Sequence, residues 1–466
     1  MEFILSEILK TGNVDFQGAK ESLKQIAKGI SIDSRTIEAG RLYIALTGEN
    51  YDGHAFVEEA LSKGGVAAIV NRQYHRTSGT NHSQNLFVVE DTLKSMQQLA
   101  RQLRSQLKHP VIALTGSNGK TTTKEMISAV LATQGATGKT FGNLNNHIGT
   151  PLTIFQLNPD NAYAVLEMGM NHFDEITQLC QMAEPDFGLI TNIGHGHIEH
   201  LGGIEGVAKA KMEMFDYLQD SSGFIFANID DANIAKAKNR YDYRLTYGFT
   251  SDAQIVGRDL GTDDAGLPLF ETQGCTIKLP IPGAHNLTNA LAAIAVGLRF
   301  GVPIEQAKSA LEKVQIPGKR MQFLPMGGFL ILNDCYNANP ESSAASLQTL
   351  LSIRSTGKKW IVLGDMLELG DKSPQLHREL GKRISESNLA GLLGFGKLSR
   401  YAVEAAKSKP GFFAKHFERK TDIVGELMTK LQDRDLVLVK GSRGMQLEDI
   451  ILELENLLKM EYPDAI

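Results

Sequence analysis

The sequence predicts an α/β protein of three domains: a small N-terminal α/β domain, a central P-loop-type domain on a mostly parallel sheet, and a C-terminal Rossmann-like α/β domain. Three observations carry that prediction. At 466 residues the chain exceeds what one hydrophobic core keeps filling, so it divides. Short apolar runs of strand length alternate with helical stretches from end to end. A Gly-rich turn ending in Gly-Lys-Thr stands directly between one such strand and the helix after it.

In the first domain, residues 1–107, strand-like runs at 41–46 and 65–70 alternate with helical stretches, and a polar helix at 92–108 closes the section. The polar segment 71–85 reads as a loop. His109-Pro110 then breaks the chain, and the apolar run 111–114 follows as a buried strand of the central domain, 108–315. There the pattern is strand, turn, helix, with core strands at 163–168, 188–191 and 224–227. The Gly/Asp-rich stretch 256–266 and the alternating run 275–279 read as a small antiparallel appendage, ahead of a strong helix at 285–299. Gln315-Ile-Pro-Gly318 marks the second boundary. Beyond it, strands at 329–332, 360–363 and 436–439, separated by helical stretches, make the third domain, 316–466.

Composition narrows the class. Hydrophobic residues make up 42% and charged residues 22%, ordinary for a globular protein. A net charge of −5 with both signs mixed argues against a nucleic-acid binder, which shows a basic face. Cys180, Cys275 and Cys335 are far apart and form no CxxC pair, which fits reduced thiols better than a disulfide scaffold or a zinc site. No basic n-region opens the sequence, and no apolar run approaches the length of a spanning helix. The expectation is a cytoplasmic protein with no membrane insertion.

The segment Thr115-Gly-Ser-Asn-Gly-Lys-Thr-Thr122 has the chemistry of a phosphate cradle. Gly116 and Gly119 let the backbone turn so that N–H groups, including those of Ser117 and Asn118, face an anion. The helix starting near Lys120 points its positive end at the same place. Lys120 supplies a charge for the β- and γ-phosphates, Thr121 a hydroxyl for Mg²⁺, and Thr122 follows in the first turn. Only two residues separate the glycines, where the common P-loop has four.

Other candidates are open on spacing alone. Glu167 ends a predicted strand, where it reads either as a metal partner beside the phosphate loop or as a strand-end surface carboxylate. His195, His197 and His200 read as a zinc cluster or as solvated loop histidines, and Mg²⁺ prefers oxygen. Lys209 and Lys211 lie on an amphipathic helix and read as surface lysines.

Assembled in order, these pieces resemble the Mur ligases over essentially the whole chain. The likeness rests on the phosphate loop, Glu167, His197 before Ile-Glu, and Lys211, then on His285-Asn-Leu-Thr-Asn-Ala290, Gly318-Lys-Arg320 and Asp334-Cys-Tyr-Asn-Ala-Asn-Pro340. Four segments are similar to the branch that adds a D-alanyl-D-alanine dipeptide: Asp33-Ser-Arg35 followed by Gly40-Arg-Leu-Tyr-Ile-Ala-Leu-Thr-Gly48, a pattern shared with the diaminopimelate- or lysine-adding branch, then Gly142-Asn-Leu-Asn-Asn-His-Ile-Gly-Thr-Pro151, the Asp334–Pro340 motif, and Lys440-Gly-Ser-Arg443.

The resemblance implies a monomer that uses ATP and two Mg²⁺ ions to activate the carboxylate of UDP-N-acetylmuramoyl-tripeptide as an acyl phosphate, which the amine of D-alanyl-D-alanine attacks. It implies Thr121 and Glu167 on one ion, and His197 with Lys211, carried as an N6-carboxylysine carbamate, on the second. Asn286 and Asn289 then sit around the adenine, Arg320 at the γ-phosphate, and Asp334 and Tyr336 at ribose and base. Ser34, Arg35, Asn145, Asn146, Thr150, Lys440 and Ser442 become substrate candidates. Cys335 departs from a serine common in its motif, and His195 and His200 receive no role. A lysine-adding, diaminopimelate-adding or polyglutamate ligase of the same superfamily is the rival reading. A nucleotide-binding module without chemistry is another, and it leaves Glu167, His197 and Lys211 unexplained.

Overall fold

The structure is a computed structural model, and the residues it describes are 1–77, 85–196 and 198–461. Among them the strands fall into three large sheets that follow one another along the chain. The first has the order Asp15–Gln17, Leu86–Val89, Ala67–Asn71, Leu42–Ile44, Ile30–Ser31, parallel except for its first pair. The second is parallel throughout, in the order Thr137–Lys139, Tyr163–Glu167, Val111–Thr115, Phe187–Ile190, Phe224–Asn228, Tyr243–Gly248, Ile255–Val256. The third runs Gln322–Met326, Phe329–Asp334, Leu436–Lys440, Lys359–Gly364, Gly391–Phe395, Phe413–Phe417, with only the first pair antiparallel.

Val111–Thr115 is buried along its whole length, as a central parallel strand must be. Its alternate residues serve two cores. Ile112 and Leu114 pack with Met126, Ile127, Leu291 and Ile294, from the helices Lys120–Leu131 and His285–Arg299. Val111 and Ala113 face the other way, toward Leu103, Leu179 and Phe215. The helix Thr92–Arg104 opens on Asp91, whose carboxylate accepts the Lys94 N–H at 3.0 Å, and buries Met96, Leu99, Ala100 and Leu103 at helical spacing. The methionine and the two leucines contribute about 1.5–3 kcal/mol of burial each. Arg104, at its end, donates to the carbonyls of Ala183 and Glu184, at 2.8 and 2.9 Å, and so caps the helix Glu175–Ala183.

The structure extends the sequence reading in several places. The expected loop at 71–85 contains the helix Arg72–Thr77, and residues 78–84 lie outside the described residues. The helix expected at 92–108 ends at Arg104. Three strands of the third sheet escape the apolar-run criterion for identifiable reasons. Gln322–Met326 carries Pro325 on a sheet edge, Gly391–Phe395 contains two glycines, and Phe413–Phe417 is an edge strand whose apolar run is broken by Lys415 and His416. The appendage is a three-stranded antiparallel sheet, Arg258–Thr262, Pro268–Thr272 and Cys275–Lys278. Among the described residues no helix is long and apolar enough to cross a membrane.

Candidate functional site

The phosphate loop joins Val111–Thr115 to Lys120–Leu131 at the carboxyl end of the central sheet. Gly119 is the helix N-cap at φ +79°, and a Cβ there would stand 2.6 Å from Asn289 Oδ1. Gly116 has φ +155°, and a Cβ would collide with Thr191 Oγ1. Both positions therefore demand glycine. The loop is held from below: Asn118 N–H donates to Asn192 Oδ1 at 2.9 Å, and Thr191 Oγ1 donates to Asn118 O at 2.6 Å. Ser117 Oγ donates to Gly194 O at 3.1 Å and accepts the Gly194 N–H at 2.8 Å. Lys120 Nζ folds back onto Gly116 O at 2.7 Å. Burial in the cleft lowers its pKa from the usual lysine value; Glu167 and Glu368 pull the other way, and Arg320 adds to the lowering.

Glu167 is only 3% exposed and stands on the strand next to the loop, as a doubly wound sheet arranges. Its Oε2 accepts Thr121 Oγ1–H at 2.8 Å, and its Oε1 accepts the Asn145 amide at 2.8 Å. Asn146 Oδ1 accepts the N–H of Gly149 at 2.8 Å and so holds the start of the helix Gly149–Gln156.

The third sheet supplies the opposite wall. The Arg320 guanidinium lies 3.6 Å from the centre of the Tyr336 ring. Asp334 is paired with Lys440 at 2.6 Å and accepts the Ser346 hydroxyl at 2.5 Å. Two contacts reach back to the phosphate-loop side. Asn339 Nδ2 donates to Asn118 Oδ1 at 2.8 Å, and Glu341 pairs with His195 Nδ1 while accepting the His195 N–H at 3.2 Å.

One cavity of about 770 Å³ gathers most of the candidates: Ser117 through Thr122, Asn145, Asn146, Glu167, Asn286, Asn289, Arg320, Asp334, Tyr336 and Lys440. Asn286 and Asn289 are buried and bonded to each other at 3.0 Å, and Asn289 also accepts the Thr123 hydroxyl at 3.1 Å. Thr150, Ser442, Ser34 and Arg35 do not line this cavity. Thr150 is buried in its helix, and Ser442 accepts the Leu367 N–H at 2.9 Å. Ser34 donates to Glu59 of the helix Val57–Ser62 at 3.1 Å, beside the first sheet, while exposed Arg35 pairs with Asp33 at 2.7 Å. Lys211 is no surface lysine: it is 1% exposed, and burial and then the Lys120 charge push its pKa well below the usual value. His197 lies outside the described residues. His200 is exposed, and its ring lies tilted against that of His172 with centroids 5.1 Å apart.

Sequence reasoning gave no part to His195, Asn339 and Glu341, which join the two walls. Asn339 sat inside a quoted motif, but only the fold brings residues 221 positions apart into contact. Nor did it single out Glu368, which lines the cavity at φ +63°.

Comparison with known proteins places this geometry. Three family models match in chain order: "Mur ligase family, catalytic domain" over residues 27–104, "Mur ligase middle domain" over 114–297, and "Mur ligase, glutamate ligase domain" over 319–443. The UDP-N-acetylmuramoyl-tripeptide–D-alanyl-D-alanine ligase of Bacillus subtilis is 40% identical over 434 residues, 92% of this chain and 93% of its own. The enzyme of that name from Escherichia coli is 32% identical over 461 residues, covering 97% and 98%. Among solved structures, MurF from Acinetobacter baumannii superposes with a TM-score of 0.86 at 29% identity, over 98% of this chain and 99% of that one. MurF ligase from Thermotoga maritima in complex with ADP gives 0.81 at 29%, over 93% and 99%. Sequence and fold agree across all three sheets, and the chain belongs to the Mur ligase family.

Proposed function

We propose that the chain is the ATP-dependent ligase that joins D-alanyl-D-alanine to UDP-N-acetylmuramoyl-tripeptide in peptidoglycan precursor synthesis, releasing ADP and phosphate. The observation that carries the reading is the single cavity in which the phosphate loop and Glu167 face the Arg320–Tyr336 pair, in a chain similar over its length to ligases of that name. ATP as the phosphoryl donor is supported by the Thermotoga maritima relative, a complex with ADP.

In the proposed reaction a tripeptide carboxylate oxygen attacks the γ-phosphorus and ADP leaves. The dipeptide amine, having lost its proton, then attacks the acyl carbon, and phosphate departs as the amide forms. Lys120 and the loop N–H groups oppose the charge that builds on the moving phosphoryl group, and Arg320 does so from the facing wall. Asn286, Asn289, Asp334 and Tyr336 bound the nucleoside. Asn145, Asn146 and Lys440 face the reacting ends of the substrates, while Ser34, Arg35, Thr150 and Ser442 act on the UDP-peptide and dipeptide from outside this cavity.

The donors fit Mg²⁺. Thr121 Oγ1 and Glu167 Oε2 are hard oxygens 2.8 Å apart beside the loop. When bound, Mg²⁺ supplies charge neutralisation to the phosphates. For a second ion the described residues hold no cluster of three His, Cys, Asp or Glu side chains. An oxygen donor at Lys211 requires its carbamate, with His197 as partner. Burial pushes the Lys211 pKa well below the usual lysine value and so favours the neutral amine, the form that takes up CO₂. The division into 1–107, 108–315 and 316–466, a monomeric state and a cytoplasmic setting belong to the same proposal.

Phosphate release measured with UDP-tripeptide and a panel of amines tests it. D-alanyl-D-alanine should be the amine that drives release. Release with lysine, diaminopimelate or glutamate in its place would move the chain to another branch.

A further inference from the structure

Lys124 is 1% exposed, one helical turn beyond Lys120, and its ammonium has no evident place in gripping phosphate. Burying a charge is unfavourable unless the protein makes specific use of its hydrogen bonds. Here it makes two contacts. Lys124 Nζ donates to the Thr140 carbonyl at 2.6 Å and pairs with Glu125 at 3.1 Å, and Glu125 is paired in turn with Lys139. Thr140, itself 1% exposed, stands where the strand Thr137–Lys139 gives way to the loop that carries Asn145.

The contacts close into a ring around Glu167. Thr140 Oγ1 accepts the Glu167 backbone N–H at 3.0 Å, and the Thr140 N–H donates to Val165 O at 3.1 Å. At the other end, Thr121 Oγ1 donates to the Glu167 carboxylate at 2.8 Å. Thr121 and Lys124 are three residues apart on one helix and so share a face. One helix therefore reaches the carboxylate directly through Thr121, and its backbone indirectly through Lys124 and Thr140.

We propose that Lys124 is a positioning residue for the metal-binding carboxylate: by anchoring the Thr140 carbonyl to the phosphate-loop helix, it fixes Glu167 and Asn145 relative to Thr121. The inference rests on the reading of Glu167 as a Mg²⁺ ligand. Partners that orient a metal ligand typically change metal affinity 10–100-fold when removed.

The experiment is Mn²⁺ binding to the full-length enzyme–ADP complex, followed by electron paramagnetic resonance, with the Mg²⁺ dependence of turnover alongside. Lys124→Met should weaken Mn²⁺ binding about tenfold or more, leaving metal-free ADP affinity and the KM for D-alanyl-D-alanine close to the parent. Thr140→Val keeps the carbonyl but removes the hydroxyl that holds Glu167, and should weaken Mn²⁺ in the same way. In the double variant the two losses should fail to add. Parent-like Mn²⁺ affinity in Lys124→Met overturns the inference. If that variant does not fold, parent-like affinity in Thr140→Val overturns it instead. Glu167→Gln separates the two levels: if it too binds Mn²⁺ like the parent, the metal reading falls and takes the inference with it.

Discussion

At the scale of single residues, the site concentrates positive charge in a dry place. Burial, and then the Lys120 charge, lowers the readiness of Lys211 to hold a proton, while burial, with Arg320 adding to it, lowers that of Lys120. Lys120→Ala should reduce turnover about a hundredfold or more, as loss of a preorganised transition-state donor does; a rate near the parent's would remove the loop from the chemistry. Lys211→Ala should lose activity and regain part of it with added short carboxylic acids, whereas full activity in the plain variant would dispose of the carbamate. A third prediction concerns stability. His377 is fully buried, with Nδ1 on Ser373 O at 2.7 Å and Nε2 accepting the Met366 N–H at 3.0 Å, and burial lowers its pKa. An unfolded histidine takes up its proton near about 6.5, while the folded one resists. Its contribution is therefore whole above that pH and is lost as pH falls through it toward the lower folded value. Thermal unfolding midpoints between pH 8 and 5 should show the fall, and His377→Gln should flatten it.

At the scale of elements, the phosphate-loop helix depends on a left-handed residue at its cap. Gly119→Ala imposes strain at φ +79° and a clash with Asn289, so ADP binding should weaken sharply while circular dichroism stays near the parent's. Long apolar strands and the Gly-Lys-Thr turn were legible in the sequence because each announces itself locally. Residues 111–114 are an unbroken apolar run, and Glu167 falls at a strand end. Gly391–Phe395 was not legible, since its glycines interrupt the apolar run and the crowding by Trp360 and Phe413 that excludes a Cβ at Gly391 is set only by the fold. The burial of Lys211 was equally hidden. Its helix buries Val207, Ala210, Met214 and Phe215 as a periodic face would predict, and nothing local says that a lysine joins them.

At the scale of the whole molecule, the cavity exists only because the third sheet approaches the second. Gly318 stands at φ +86° with open space around it, a suitable place for the chain to flex near residues 315–320. Closure around ATP analogue and substrates should contract the small-angle scattering profile, and identical curves with and without them would count against any hinge there. Asn339→Ala with Glu341→Gln should leave the open form more expanded and raise the KM for ATP. Of the two contacts, Asn118–Asn339 has the longer reach in its consequences. It ends on the Gly-Lys-Thr loop, so parting the two walls also removes a partner from that loop. A covalent tether across that gap is expected to slow the release of ADP, read as its dissociation rate.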